Sequence, residues 1–84
     1  YGTVPGSYAT ERNISADKLI KLPKKVSDKT AAAMMLKGLT AQYLLRSLFK
    51  VKKGHTVLVH AAAGGVGQIL TQWARALGAT VIAT

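Results

Sequence analysis

The residues best suited to chemistry in this sequence form the glycine cluster HAAAGGVGQ at residues 60–68. A dinucleotide-binding fingerprint, G-x-G-x-x-G, places glycines where the main chain must approach a pyrophosphate and where a helix packs closely on a strand. Aligned on that pattern, the three positions are Ala62, Gly64 and Gly67. Gly64 would admit the pyrophosphate, Gly67 would allow close packing, and the phosphate would sit at the helix N-terminus. The other interpretation is that these glycines only turn the chain.

The elements around the cluster favour the phosphate-binding interpretation. Residues 55–61, HTVLVHA, form an apolar β-branched run that predicts a strand covered on both faces of a parallel sheet. Beyond the glycines, apolar residues recur at helical spacing, and Gly78 follows as a C-cap. The chain then reaches a second β-branched run, TVIAT, at residues 80–84. Strand, glycine turn, helix and strand together predict a βαβ unit. A Walker loop is excluded because no Gly-Lys-Ser/Thr follows.

The preceding part of the chain is less regular. Alternation and turn formers predict short strands at about residues 7–14 and 18–22, the second ended by Pro23. Ser27 is predicted to cap a short helix, which Gly38 would interrupt. A second helix is predicted from Ala41, with a core-packing apolar stripe. The stripe comprises residues 41, 44, 45, 48 and 49, and Met34, Met35, Tyr43 and Trp73 are also interpreted as packing residues.

The composition of the chain favours some kinds of partner, site and location over others. The 84 residues carry a formal charge of +9, from 12 Lys and Arg against 3 acidic residues. These cations are scattered and few aromatic residues accompany them, so a solvated surface is favoured over a nucleic-acid interface. The lack of cysteine excludes disulfides and thiolate metal sites within these residues. No apolar run is long enough to cross a bilayer and no secretory signal is visible, so a cytoplasmic location is the default expectation.

Two segments carry a resemblance to a known family: AAAMMLKGLTAQYLL at residues 31–45 and KKGHTVLVHAAAGGVGQILTQWARALGATVIAT at residues 52–84. They resemble the NADPH-dependent quinone oxidoreductases of the zeta-crystallin-like branch of the medium-chain dehydrogenase/reductase superfamily. In that branch AAxGGVG is the usual glycine turn, so Ala62 is a branch feature. The resemblance implies an α/β chain: a partial Rossmann fold of one βαβ unit, preceded by short strands and helices from the end of a GroES-like catalytic domain. Residues 1–35 would end the catalytic domain, and residues 36–84 would supply the linking helix and first βαβ unit of the NADPH-binding domain.

The resemblance also implies a function and a set of site residues. The full-length protein would be a homodimer that passes hydride from NADPH to a quinone. The cofactor-binding residues implied are Thr40, Ala63, Gly64, Gly65, Val66 and Gly67. Thr40 would lie near the nicotinamide, although a helix N-cap before AQYLL is an equally physical role. No single catalytic residue is required, because the nicotinamide carries the chemistry.

No metal site is expected. Zinc-dependent relatives place a cysteine ligand where this sequence has Leu36, which cannot bind zinc. His55 and His60 flank one predicted strand, point to opposite faces and would make a poor paired site. Each is interpreted as an exposed or hydrogen-bonded histidine at a strand end.

Several alternatives stay open. Enone and enoyl reductases share the glycine turn, and a structural or RNA-binding role without turnover, or a basic nucleic-acid module, would need no substrate. The choice of NADPH over NADH comes from the resemblance alone, because the residue that reads the ribose 2′ position would lie beyond Thr84.

Overall fold

The computed structural model describes residues 5–84, so the first four residues of the predicted catalytic-domain segment lie outside the described part. A 3₁₀ turn at Ala16–Lys18 is followed by helix α1, Asp28–Gln42, and a π-helical stretch, Tyr43–Leu48. Strand β1, Thr56–Val59, then leads into helix α2, Gly65–Ala76, and strand β2, Thr80–Ala83.

The C-terminal half is the βαβ unit that the sequence predicts. Strands β1 and β2 pair in parallel, with Thr56 opposite Thr80 and Val59 opposite Ala83. Helix α2 connects them and contacts both strands. The chain therefore belongs to the α/β class, with a two-stranded parallel sheet.

The end of α2 confirms the predicted glycine C-cap. Gly78 has a φ of +87°, in the left-handed region that favours glycine. Its N–H donates to the Arg75 carbonyl at 2.9 Å, and the Ala79 N–H donates to the Ala74 carbonyl at 3.1 Å. These two bonds form a Schellman motif, which satisfies carbonyls that the helix end leaves free. The chain is thereby turned directly into β2.

The core lies where α2 meets the sheet and the π-helical stretch. Leu45, Val51, Ala74 and Ala79 form its buried cluster. Partly buried apolar side chains surround this cluster: Val57, Leu70, Trp73, Leu77 and Val81. Trp73 thus has the packing role predicted for it.

The prediction that β1 is covered on both faces is wrong. Leu58 is 56% exposed, and its register partner Ile82 is 53% exposed. Successive side chains of a strand point to opposite faces, so Leu58 and Ile82 share the face opposite Val57 and Val81. Helix α2 covers only one face, and no second layer exists within residues 5–84.

The two strands predicted before Pro23 are also wrong. Residues 5–27 contain no strand, and Ala16–Lys18 is a 3₁₀ turn instead. A strand is held by hydrogen bonds to a neighbouring strand, and none lies beside this segment within the described residues. Alternation alone therefore could not produce a sheet here.

Helix α1 begins where predicted but does not stop at Gly38. Ser27 caps it by accepting the Thr30 N–H at 3.2 Å. The helix continues through Gly38 to Gln42, so the predicted interruption and the separate helix from Ala41 are wrong. A glycine inside a helix costs only about 1 kcal/mol relative to alanine, which fifteen residues of continuous hydrogen bonding outweigh.

Only two of the five residues in the predicted apolar stripe are buried. Ala41 and Leu45 are buried, whereas Leu44, Leu48 and Phe49 are exposed. The π-helical stretch has more residues per turn than an α-helix, so a spacing counted for 3.6 residues per turn no longer stays on one face.

Two other predicted packing residues are exposed. Met34 is 43% exposed and Tyr43 is 51% exposed, so these predictions are wrong, while Met35 is half-buried. Met34 lies at the groove between α1 and α2, where the two helices leave it partly open to solvent.

Candidate cofactor-binding site

The glycine turn lies at the carboxyl edge of the sheet, where β1 passes into α2. The Gly64 N–H donates to the Ala61 carbonyl at 2.9 Å, which closes a tight turn. The Ala62 N–H donates to the Thr84 carbonyl at 3.0 Å, so the turn is also tied to the end of β2. Ala61 has a φ of +52°, a left-handed conformation that is unfavourable for a residue with a Cβ. The turn is therefore held in a defined shape by both strands.

Helix α2 begins without a capping side chain. Gly64 is its N-cap, and the first helical bond runs from the Gln68 N–H to the Gly64 carbonyl at 2.9 Å. The amides of Gly65, Val66 and Gly67 are those that an α-helix leaves without an intrahelical acceptor. No acidic residue lies in this first turn. The positive end of the helix dipole is thus available to an anion.

Gly67 is required by the packing of α2 on the turn. A Cβ at residue 67 would lie 2.7 Å from the Ala62 Cα and 2.9 Å from the Ala62 carbonyl carbon, and it would also collide with the Ala61 carbonyl oxygen. These are backbone atoms, which cannot rotate away. The close approach predicted for Gly67 is present, and its partner is the turn that follows β1.

Gly64 and Gly65 have different surroundings. A Cβ at residue 64 would lie 3.1 Å from the Ala61 carbonyl oxygen, a tight contact. A Cβ at residue 65 would meet only the side chain of Lys37, with Cε at 2.7 Å and Nζ at 3.0 Å. The structure thus brings a lysine of α1 to the start of α2, which the sequence did not indicate.

A groove of about 570 Å³ lies between α1 and α2 beside this helix start. Both apolar and polar residues line it: Ala33, Met34, Lys37, Gly65, Gln68, Ile69, Gln72 and Trp73. Gln68 is fixed at the turn, because its Nε2 donates to the Ala63 carbonyl at 2.7 Å. Of the predicted residues 63–67, Gly65 lines this groove, and Ala63 is hydrogen-bonded to the lining residue Gln68.

Thr40 is the predicted site residue that stands apart. It lies inside α1, and its hydroxyl donates to the Leu36 carbonyl at 2.8 Å. The N-cap alternative for Thr40 is therefore wrong, because no helix begins there. Thr40 is not among the residues that line the groove.

Both histidines are hydrogen-bonded. The His55 Nδ1 accepts the Lys52 N–H at 3.0 Å, and its ring contacts Phe49 with centroids 5.4 Å apart. The His60 Nδ1 lies 3.1 Å from the Thr84 hydroxyl, which joins the carboxyl ends of the two strands. Within residues 5–84 no three metal-ligating side chains cluster, and Leu36 is exposed. Across the same residues no helix is both long and apolar enough to cross a membrane.

A parallel βαβ unit with a glycine turn and an uncapped helix start is typical of dinucleotide-binding proteins. No model of a known protein family matches the sequence. The chain is 58% identical over 81 residues to a 2-haloacrylate reductase from Burkholderia sp., covering 94% of this chain and 24% of that protein. It is 49% identical over 85 residues to a quinone oxidoreductase from Pseudomonas aeruginosa, covering 100% of this chain and 26% of that protein.

The chain is also similar to a solved structure of a quinone oxidoreductase. The Escherichia coli quinone oxidoreductase, determined in complex with NADPH, superposes with a TM-score of 0.77 at 54% identity. The superposition covers 81% of this chain and 21% of that one. The chain is therefore a homologue of the quinone oxidoreductases, as the sequence resemblance predicts. It spans about a quarter of the length of the curated relatives.

Proposed function

We propose that this chain is the cofactor-binding segment of a longer, NADPH-dependent reductase that transfers hydride to a quinone. The observation that carries the proposal is the uncapped N-terminus of α2 at the carboxyl edge of a parallel sheet. Free amides at a helix start and a turn without side chains suit a pyrophosphate, and NADPH is the cofactor in the solved E. coli relative.

The residues present fit a dinucleotide. Gly64 presents main chain without a Cβ, residues 65 and 66 line the path of the dinucleotide, and Gly67 holds α2 against the turn. Ala63 fixes Gln68 at the same edge through its carbonyl. We assign Thr40 a place near the nicotinamide, with its hydroxyl oxygen free to accept a hydrogen bond while its proton is donated to Leu36. When bound, the nicotinamide supplies the hydride, and these residues supply orientation.

The longer protein is proposed to have two domains, with residues 1–35 ending a GroES-like domain and residues 36–84 opening a Rossmann domain. We further propose that it is a cytoplasmic homodimer. The exposed apolar pair Leu58 and Ile82 supports the longer chain, because a further layer on that face of the sheet would bury both. We also propose a zinc-independent reaction, since Leu36 offers no ligand where zinc-dependent relatives have cysteine; elemental analysis of the full-length protein checks this.

A second substrate class is favoured by a specific observation. The 58% identical Burkholderia protein is a 2-haloacrylate reductase, and a haloacrylate is an activated alkene rather than a quinone. Hydride transfer to the β-carbon of such an alkene, with a proton added at the α-carbon, uses the same cofactor geometry. The substrate is therefore proposed as a quinone, with an activated alkene as the alternative.

The test is turnover by the full-length protein. NADPH oxidation is followed with a quinone and, separately, with a 2-haloacrylate; the ratio of kcat/KM values decides between the substrates. The Gly64→Ala variant, which puts a Cβ where the pyrophosphate would approach, is expected to weaken NADPH binding at least about tenfold, or about 1.4 kcal/mol.

Gly38→Ala is the matched control, since a Cβ at residue 38 meets nothing within 4 Å. Equal NADPH affinity in both variants, or no NADPH binding by the wild type, would refute the cofactor assignment. RNA binding that persists in Gly64→Ala, with steep salt dependence and no response to NADPH, would support the nucleic-acid alternative instead.

A further inference from the structure

Lys37 crosses the start of α2 in an arrangement that the dinucleotide fingerprint does not explain. Its Cδ, Cε and Nζ lie 2.9, 2.7 and 3.0 Å from the position that a Cβ of residue 65 would occupy. The end of the side chain therefore occupies the space that any other residue at position 65 would fill. The fingerprint itself assigns positions 62, 64 and 67 and has no requirement at 65.

The Lys37 side chain is exposed and lies where the helix dipole favours an anion over a cation. Lys37 places a positive charge at the positive end of the α2 dipole. The first turn of α2 contains no acidic residue, and within residues 5–84 the Lys37 side chain makes no hydrogen bond or ion pair. A cation and free amide groups at one helix start are mutually repulsive, and a shared anionic ligand would remove that repulsion.

Lys53 provides an internal comparison at the other end of the same helix. Its Cγ lies 2.9 Å, and its Cβ 3.1 Å, from the position that a Cβ of Gly78 would occupy. A cation near a helix C-terminus is favoured by the dipole, so the charge of Lys53 is compatible with this end of α2. The two lysines each lie over a glycine at one end of α2, and only Lys37 lies at the end where the dipole disfavours a cation.

We propose that Lys37 is a cofactor-binding residue whose ammonium group donates to the pyrophosphate of the bound dinucleotide, and that residue 65 is glycine so that Lys37 can reach it. This inference rests on the proposed function. The pyrophosphate would receive the amides of residues 65–67 from one side and the Lys37 ammonium group from the α1 side of the groove. Lys37 thereby couples the linking helix α1 to cofactor binding.

The experiment measures NADPH and NADH affinities of the full-length protein by calorimetry, for the wild type and for Lys37→Gln, Lys37→Arg and Lys53→Gln. Lys37→Gln is expected to weaken both cofactors by the same factor, about tenfold, because both contain the pyrophosphate. Lys37→Arg should recover most of that loss, and added salt should shrink it. Lys53→Gln removes the same charge near the opposite end of α2 and should leave both affinities unchanged.

A second variant tests the role assigned to residue 65. Gly65→Ala should weaken binding by displacing Lys37, and it should cost less in the Lys37→Gln background than in the wild type. Fluorescence of Trp73 and circular dichroism establish that each variant is folded.

The outcomes separate the two proposals. Unchanged affinity in Lys37→Gln, or an equal loss in Lys53→Gln, overturns the Lys37 assignment while the proposed function stands. A loss confined to NADPH also overturns it, since this would place Lys37 at the 2′-phosphate. A wild type that binds neither cofactor overturns the proposed function, and the Lys37 assignment with it.

Discussion

Replacing Gly67 by alanine should destabilise the fold through one steric contact. The added Cβ would lie 2.7 Å from the Ala62 Cα, whereas carbon atoms in favourable contact lie about 3.5–4.0 Å apart. Helix α2 would have to withdraw from the turn by about 1 Å. We expect the turn itself to stay in place, because the Ala62 N–H donates a hydrogen bond to the Thr84 carbonyl and the Gly64 N–H donates one to the Ala61 carbonyl.

The expected loss of unfolding free energy in Gly67→Ala follows from two opposed effects. Overpacking a tight contact costs about 1–3 kcal/mol, and a collision with backbone belongs at the upper end of that range. Alanine recovers up to about 1 kcal/mol over glycine in a helix. We expect Gly67→Ala to lower the free energy of unfolding by about 1–2 kcal/mol.

Gly65→Ala is the matched control for this effect on stability. The same substitution on the same helix meets only the flexible end of Lys37, which can move aside. Its expected effect is therefore within about 0.5 kcal/mol of the wild type. Both variants are made in the full-length protein, unfolded with urea and followed by circular dichroism. Equal unfolding midpoints for the two variants would refute the steric argument.

Two further substitutions test the ends of the helices. Gly78→Ala should cost about 1–2 kcal/mol, because φ is +87° at this position and the Lys53 side chain lies against it; Gly78→Asn should cost less, and a fully stable alanine variant in thermal melts would contradict the Schellman assignment. Ser27→Ala should cost about 1 kcal/mol by removing the cap of α1; Ser27→Asp should retain the cap, and identical urea midpoints for the two would show that the cap carries no stability.

The C-terminal half could be predicted because its signals are local and agree with one another. The β-branched runs, the helical spacing from residue 66 and the glycine at 78 each indicate the element that the structure contains. The N-terminal half could not be predicted in the same way. Alternation at residues 7–14 is compatible with a strand, but a strand also needs a neighbour, which the described residues do not supply.

The candidate site likewise contains residues that the sequence indicates and one that it does not. The glycine turn is a contiguous motif, so its spacing alone indicates positions 62, 64 and 67, and the family resemblance adds residues 63, 65 and 66 as predictions. Lys37 could not be found in this way, because no local motif distinguishes it from the other lysines of the sequence. Its position over Gly65 depends on how α1 packs against α2. The predicted roles of Met34 and Tyr43 were wrong for a related reason, because burial depends on which elements cover a helix face.

The three glycines of the turn are expected to respond differently to the same added methyl group. At residue 67 the methyl group meets backbone on the inner side of the helix, so its effect should appear as lost stability. At residue 64 it lies at the N-cap beside the free amides, so its effect should appear mainly as lost cofactor affinity. At residue 65 it meets Lys37, so its effect should depend on whether that lysine is present. A turn that merely reversed the chain would show changes in stability alone, including one from the 3.1 Å contact at residue 64, whereas a loss of cofactor affinity at residues 64 and 65 requires a ligand at the turn.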